Sequence, residues 1–171
     1  MRKILIVIDM QKDFIDGSLG SAEAVSIVEN VKNKIEGYDP ADVIFTRDTH
    51  HSDYLQTQEG INLPVKHCIE GTEGWQIRPE LAAAAPGALV FDKPTFGSME
   101  LAEHIRNLPG DIEVELVGLC TDICVVSNAM LLKAARPEMK ISVDASCCAG
   151  VTPERHAAAL TTMAACQIKV V

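Results

Sequence analysis

The stretch Gly118-Leu119-Cys120-Thr121-Asp122-Ile123-Cys124-Val125-Val126 separates two different patterns of apolar residues. Before it, residues 112–117 alternate between apolar and polar side chains, which predicts a β-strand. After it, apolar residues recur at helical spacing over residues 123–135, which predicts a helix. We therefore predict a tight turn from strand to helix, with Cys124 in the first helical turn.

Cys124 would lie in the local electric field of that helix start. Free N–H groups and the positive end of the helix dipole favour an anion, which lowers the pKa of a thiol. The alternative is a buried cysteine that acts as a small hydrophobic residue, which is the commoner role. The choice depends on which groups the fold brings next to Cys124.

Strand and helix patterns alternate along the whole chain. The predicted strands cover residues 4–8, 42–46, 88–92, 112–117, 140–144 and 167–170. The predicted helices cover residues 22–36, 79–85, 98–107, 123–135 and 153–165. Because most of these strands are apolar throughout, they fit a parallel sheet covered by helices on both faces. We expect one α/β domain over residues 1–171.

The composition narrows the class of protein and its partners. Hydrophobic residues make up 47% of the 171 residues, which suits one globular domain. The 24 acidic and 15 basic residues give a formal charge of −9, and no basic run occurs, which argues against nucleic acid and anionic membranes. The first apolar run is too short for a signal peptide, and no run suits a membrane span. We expect a cytoplasmic protein whose six cysteines form no disulfide framework.

Polar or reactive residues follow four of the predicted strands. Asp9 follows the first, Asp48 and His50 follow the second, Lys93 follows the third and Cys124 follows the fourth. In parallel α/β sheets, ligands bind beyond the carboxyl ends of the strands. We therefore expect these side chains to meet at one edge of the sheet, although they are far apart along the chain.

Asp9, Lys93 and Cys124 form a coherent set for nucleophilic catalysis. The thiolate is the attacking species, and a neighbouring ammonium lowers the thiol pKa. A carboxylate within reach takes the thiol proton and later gives it to a leaving amine. Taken singly, Asp9 is as well explained as a turn residue, and Lys93 as a surface lysine. Their joint position after successive strands favours the catalytic interpretation.

A second set of polar residues suits a divalent metal. Asp48 and His50 have Asp-x-His spacing, and His67 follows further along the same long loop. Carboxylate and imidazole ligands suit zinc, manganese or iron, and an incomplete protein shell leaves positions for water or substrate. Glu59 and Asp53 lie in the same loop and are further candidates. The Asp-x-His spacing is common, so this signal alone is weak.

Five separated motifs carry a resemblance to a known family. They are Ile6-Val7-Ile8-Asp9-Met10-Gln11-x-Asp13-Phe14, Thr46-Arg47-Asp48-x-His50, His67-Cys68-Ile69-x-Gly71-Thr72, Lys93-x-x-Phe96-x-Ser98 and Gly118-x-x-Thr121-Asp122-x-Cys124-Val125. In this order they resemble the isochorismatase-like cysteine hydrolases, and within them the nicotinamidase branch. The resemblance spans nearly the whole chain.

The resemblance implies a fold and a set of roles. The fold is a three-layer α/β/α Rossmann-like domain with a six-stranded parallel sheet. Asp9 would act as base and acid, Lys93 as charge stabiliser and Cys124 as nucleophile. A cis peptide between Leu119 and Cys120 would direct the N–H groups of Cys120 and Cys124 at the oxyanion.

The resemblance also implies ligands and partners. Asp48, His50 and His67 match the metal ligands of nicotinamidases, which points to zinc, with manganese or iron as alternatives. Phe14 and Phe96 match residues that flank the substrate. The expected partners are a small-molecule amide and further copies of the chain in a homo-oligomer.

Some residues depart from the nicotinamidase pattern. Nicotinamidases usually have a Trp three residues before the second metal-binding His, and this chain has Pro64 there. Its only tryptophan is Trp75, after the His motif, and Cys120 replaces the usual small residue of the turn. These changes leave the identity of the amide open.

The resulting hypothesis is a cysteine-dependent amidohydrolase that cleaves a small, nicotinamide-like amide through a thioester. One alternative is an isochorismatase-type vinyl-ether hydrolase, which needs the Asp but not the Cys. The other is a non-catalytic binding protein of the same fold. Asp9, Lys93 and Cys124 together favour the amidohydrolase.

Overall fold

Six strands form the centre of the computed structural model, which describes residues 1–171. They are Arg2–Ile8 (β1), Val43–Asp48 (β2), Leu89–Lys93 (β3), Ile112–Leu119 (β4), Lys140–Ala149 (β5) and Lys169–Val170 (β6). Their order in the sheet is β3-β2-β1-β4-β5-β6, and every neighbouring pair is parallel. The predicted six-stranded parallel sheet is confirmed.

Helices connect the strands and cover both faces of the sheet. They are Lys12–Ile15 (α1), Ala22–Ser26 (α2), Val28–Glu36 (α3), Gln58–Asn62 (α4), Pro79–Ala84 (α5), Met99–Asn107 (α6), Val126–Ala135 (α7) and Pro153–Ala165 (α8). A π-helical segment, Thr121–Val125, precedes α7. None of these helices combines the length and the apolar character needed to cross a membrane.

Two apolar clusters hold the three layers together. On one face of the sheet, Ile6 of β1 packs in a cluster with Leu101 of α6 and Leu132 of α7. On the other face, Val7 packs in a cluster with Val31 of α3. Burying each such side chain fully contributes roughly 1.5–3 kcal/mol. The apolar run of β1 therefore serves both faces, as expected for a central parallel strand.

The strand order reverses between β1 and β4. From β1 the chain continues outward through β2 and β3, whereas β4 begins on the other side and continues outward through β5 and β6. In open α/β sheets, ligands bind in the crevice at this switch point, beyond the carboxyl ends of the strands. The residues that directly follow β1 and β4 are Asp9 and Cys120.

Gly118 lets β1 and β4 approach each other at this switch point. It pairs with Ile8, and its φ is +117°. A Cβ atom added at this position would lie 2.1 Å from the carbonyl oxygen of Ile8. Only glycine therefore fits here without displacement of one of the two strand ends.

The fifth strand, β5, extends further than the sequence predicts. β5 was predicted to end at residue 144 but continues to Ala149, because it resumes pairing with β4 after an irregularity between Leu116 and Gly118. The carboxylate of Asp144 accepts hydrogen bonds from the backbone N–H and hydroxyl of Ser146 at 2.9 and 2.7 Å. The polar residues at 144–146 therefore form a local, hydrogen-bonded irregularity within β5, and they do not end the strand.

Two predicted elements have different bounds for local reasons. The helix predicted over 22–36 is two helices, because the backbone turns at Ile27, a residue that is buried in the same cluster as Val31. The strand predicted over 167–170 starts only at Lys169. Gln167, with φ +65°, and Ile168 donate backbone hydrogen bonds to the last turn of α8 and so close that helix.

Candidate active site

The structure brings Asp9, Lys93 and Cys124 together at the carboxyl end of the sheet. The Nζ atom of Lys93 lies 2.6 Å from Oδ2 of Asp9 and 3.4 Å from Sγ of Cys124. All three residues are at most 5% exposed. A lysine and an aspartate buried this completely are rare unless they are paired. The geometry therefore excludes the alternatives of a surface lysine and a simple turn aspartate.

Hydrogen bonds hold the aspartate and the lysine in place. The hydroxyl of Thr46 donates to Oδ1 of Asp9 at 2.6 Å and accepts the backbone N–H of Asp9 at 3.2 Å. The Lys93 ammonium also donates to the carbonyl of Thr95 at 3.0 Å and to Oδ1 of Asp48 at 3.2 Å. Thr46 had no assigned role in the sequence, although it belongs to one of the motifs.

The environment of Cys124 corrects one prediction from the sequence. Burial raises the pKa of the Cys124 thiol well above its ordinary value, and the carboxylate of Asp9 raises it further, while Lys93 opposes both. Lys93 therefore lowers this pKa as predicted, but burial and Asp9 outweigh it, so the expectation of a lowered thiol pKa at the helix start is wrong for the resting site. Burial also raises the pKa of Asp9, against the effect of Lys93. The thiol keeps its proton at neutral pH, so attack requires proton transfer to a base.

The turn before Cys124 has the predicted cis peptide between Leu119 and Cys120. The segment that follows is π-helical, so Cys124 is not in the first turn of an α-helix as predicted. The reason is a wider hydrogen-bonded ring, in which the N–H of Val125 donates to the carbonyl of Cys120 at 3.1 Å. The α-helical pattern begins only at Val126.

A cavity of about 370 Å³ opens beside these residues. Its wall includes Cys120 and Cys124 and both phenylalanines named from the sequence, Phe14 and Phe96. This volume is at the lower end of the range of ligand pockets, so it suits a small molecule.

The residues around Pro64 give this cavity an aliphatic wall. Leu63, not Pro64, contributes to the lining. Trp75 does not line the cavity: its indole N–H donates to the hydroxyl of Thr49 at 2.9 Å, and the guanidinium of Arg47 stacks on it at 3.7 Å. The tryptophan missing at position 64 is therefore not supplied from elsewhere in the chain.

Four side chains form a candidate metal centre beside the cavity. The ligand atoms of Asp48, His50, Glu59 and His67 all lie within 4.8 Å of one another. Oδ2 of Asp48 lies 2.9 Å from Nε2 of His50 and 3.5 Å from Nε2 of His67. Oε1 of Glu59 lies 3.5 and 3.6 Å from the same two nitrogens. Of the two further acidic candidates, Glu59 joins the group and Asp53 does not.

The hydrogen bonds of the two histidines fit a cation. Nδ1 of His67 lies 2.8 Å from the carbonyl of Val65, and because a carbonyl only accepts, Nδ1 is the donor of this hydrogen bond. In the neutral ring, the lone pair of Nε2 then faces the two carboxylates, an arrangement that a divalent cation satisfies. Burial lowers the pKa of His50, but hydrogen bonds to Asp48 and Glu59 outweigh it and raise the pKa to about 9, because the two carboxylates favour positive charge at this position. A divalent cation would supply that charge in place of the proton. The donor set therefore fits a metal ion.

Gln11 and Tyr54 support the metal centre, and sequence reasoning missed both. The side chain of Gln11 accepts the backbone N–H of Asp48 and donates to its carbonyl, each at 2.8 Å. The buried ring of Tyr54 packs against His50 at 4.6 Å and His67 at 5.0 Å between centroids. The sequence feature that could have identified Gln11 is its position within the first motif, three residues after the apolar strand β1 ends.

The sequence of this chain is similar to those of known proteins. The family model described as the isochorismatase domain matches residues 3–171. The nicotinamidase/pyrazinamidase of Mycobacterium tuberculosis is 27% identical over 184 residues, which cover 99% of this chain and 98% of that protein.

The fold of this chain is also similar to the folds of solved structures. The crystal structure of the nicotinamidase/pyrazinamidase of Bacillus subtilis is 27% identical, covers 100% of both chains and has a TM-score of 0.83. The pyrazinamidase of Pyrococcus horikoshii in complex with zinc is 26% identical, with coverage of 100% of this chain and 99% of that one and a TM-score of 0.81.

Proposed function

Because this chain belongs to the isochorismatase family, we propose that it is a hydrolase that cleaves the C–N bond of a small, nicotinamide-like amide. One observation carries the proposal: the ammonium of Lys93 contacts both the carboxylate of Asp9 and the thiol of Cys124, and Cys124 lines a small cavity. The similar proteins from M. tuberculosis and B. subtilis are named nicotinamidase/pyrazinamidase, which supports the same reaction class. The family resemblance also supports a homo-oligomer, which we propose as well.

The first half of the reaction forms a thioester. Sγ of Cys124 attacks the amide carbonyl carbon as its proton moves to the carboxylate of Asp9. The backbone N–H groups of Cys120 and Cys124 stabilise the oxyanion, and the ammonium of Lys93 offsets the negative charge around the thiol. Asp9 then returns the proton to the nitrogen as the C–N bond breaks, which releases ammonia.

The second half consumes one water. Asp9 takes a proton from water while the water oxygen attacks the thioester carbonyl carbon. As the C–S bond breaks, the proton returns to Sγ of Cys124. The sum is an amide plus water giving a carboxylic acid plus ammonia, with the enzyme restored.

We propose that Asp48, His50, Glu59 and His67 hold a divalent cation. The mixed nitrogen and oxygen donors suit zinc first, with manganese or iron as alternatives. The similar pyrazinamidase of P. horikoshii was crystallised in complex with zinc. Such an ion would supply a Lewis acid that orients and polarises substrate or water at this end of the cavity.

Purified without added metal, the protein should contain about one equivalent of divalent ion per chain. His67→Ala should remove most of it, because that ring supplies a buried Nε2 ligand. His51→Ala is the matched control: its side chain is 68% exposed and paired with Glu70 outside the group. Elemental analysis measures the metal content. A metal-free wild type whose activity is unaffected by chelators would contradict the site.

Ammonia release from a panel of small amides tests the function. The panel should include nicotinamide, pyrazinamide and aliphatic amides, with a vinyl ether measured in parallel. We expect at least one amide to give ammonia and its acid in equal amounts. Cleavage of the vinyl ether alone would support the isochorismatase-type reaction, and binding without turnover would support a non-catalytic protein.

A further inference from the structure

One cation on the cavity wall has no role in the chemistry described so far. Arg155, at the start of α8, lines the same cavity as Cys120 and Cys124. It is the only arginine or lysine on that wall, because Lys93 is fully buried and occupied by Asp9, Asp48 and Thr95. Both acidic residues on the wall, Asp48 and Glu59, belong to the metal centre. Arg155 is therefore the one cation on the cavity wall, and its charge is paired with Asp122.

The guanidinium of Arg155 is anchored by one edge. Its Nε lies 2.7 Å from Oδ2 of Asp122, whose side chain is 6% exposed. Oδ1 of Asp122 accepts the backbone N–H of Val151 at 3.0 Å, and a Cβ at Gly150 would lie 3.0 Å from that oxygen. Asp122 is therefore fixed between the segment that carries Cys124 and the start of α8.

The other edge of the guanidinium is available to a ligand. No hydrogen bond within the chain engages either Nη atom of Arg155, and the side chain is 56% exposed. Two parallel Nη–H groups form the fork that binds the two oxygens of a carboxylate. By contrast, Arg47 commits both Nε and Nη2 to Asp92 at 2.7 and 3.0 Å.

The sheet order places this fork on the opposite side of the nucleophile from the metal centre. Asp48 ends β2, Cys124 follows β4 and Arg155 follows β5. Because adjacent strands are about 4.8 Å apart, β2 and β5 are separated by roughly 14 Å, with β1 and β4 between them. Both members of the Arg155–Asp122 pair act on this wall: burial raises the pKa of the Cys120 thiol to about 12, Asp122 raises it further, and Arg155 opposes that rise.

We propose that Arg155 is a specificity residue that selects amides bearing a carboxylate a few bonds from the scissile carbonyl. This rests on the proposed amidohydrolase function and adds the substrate class. With the carbonyl at Cys124, the substrate's carboxylate lies against the Nη fork. The planar fork of Arg155 matches the two oxygens of a carboxylate, whereas a phosphate would bring about two negative charges to a chain with a formal charge of −9 and to an arginine that is already paired with Asp122.

Paired substrates of matched shape test the proposal. Succinamate is compared with butyramide, and 3-carbamoylbenzoate with 3-methylbenzamide, by ammonia release. The wild type should prefer the carboxylate member in kcat/KM. In Arg155→Gln the ratio of anionic to neutral kcat/KM should fall by about tenfold to a hundredfold, mainly through KM. Arg155→Lys keeps the charge without the fork and should give an intermediate ratio.

Arg106→Gln is the control, because that side chain is also 56% exposed and lies on α6 outside the cavity. Its ratio should match the wild type. Calorimetric titration of Cys124→Ala with succinamate gives a readout without turnover, and adding Arg155→Gln should weaken that binding by a similar factor.

The outcomes separate this proposal from the function on which it rests. Turnover of neutral amides with equal ratios in wild type and Arg155→Gln overturns the role of Arg155 and leaves the amidohydrolase intact. If no amide is cleaved, the proposed function fails, and the titration still decides whether Arg155 binds a carboxylate. Succinamate binding that is unchanged by Arg155→Gln overturns the proposal.

Discussion

Replacing Cys124 by alanine should reduce ammonia release by about 10⁴-fold or more, because Cys124 carries the thiol that contacts Lys93. The substitution removes one sulfur atom from a residue that is 5% exposed, so the fold should persist with modest loss of stability. Ammonia release measures the activity. Mass spectrometry after acid quench should find an acyl adduct on Cys124 in the wild type and none in the variant.

Cys166→Ala is the control for general effects of cysteine loss. Cys166 is exposed at the end of α8 and lies outside the cavity. This variant should keep wild-type turnover and its acyl adduct. Full amidase activity in Cys124→Ala would contradict the nucleophilic role and return Cys124 to the buried structural role considered from the sequence.

Lys93→Met should cost both activity and stability. Its ammonium contacts the carboxylates of Asp9 and Asp48, and all three residues are at most 3% exposed. Removing one partner of a buried ion pair leaves uncompensated charge, which typically costs about 3–5 kcal/mol in the free energy of unfolding. Activity should fall by at least about 10³-fold, because Asp9 and Cys124 then lose the charge between them. Urea unfolding and ammonia release measure the two effects.

Lys34→Met gives the matched comparison. Lys34 also contacts two carboxylates, Glu115 at 3.1 Å and Asp144 at 2.6 Å, but its side chain is 26% exposed and lies outside the cavity. When Lys34 is replaced, water can solvate the two carboxylates that it contacted. The free energy of unfolding should therefore fall by about 1 kcal/mol, and activity should be retained. Equal stability losses in the two variants would show that the buried position of Lys93 has no special energetic effect.

The parallel sheet explains why so much of the site was predictable. Asp9, Lys93 and Cys124 lie in segments that follow or end different strands, and a parallel sheet brings the ends of its strands to one edge. No side-chain contact had to be known for that inference. The same rule brought Asp48 and His50 next to Lys93.

Burial and pairing across distant segments were not predictable in the same way. The pKa of Cys124 depends on how completely the surrounding residues exclude water, which strand positions do not reveal. Glu59 and Asp53 were equivalent candidates until the loop placed one of them beside His50 and His67. Arg155 was missed because its partner Asp122 is brought to it only by the extension of β5 and the junction to α8.

The contact at Gly118 has an evolutionary consequence. The spacing between the ends of β1 and β4 is set there by backbone against backbone, so the relative position of Asp9 and Cys120 does not depend on any side chain that could drift. Other lining residues of the cavity, including Leu63, Phe96 and Arg155, lie on other segments. Substitutions in those segments can therefore change the substrate that the cavity accepts without moving Asp9 relative to Cys120.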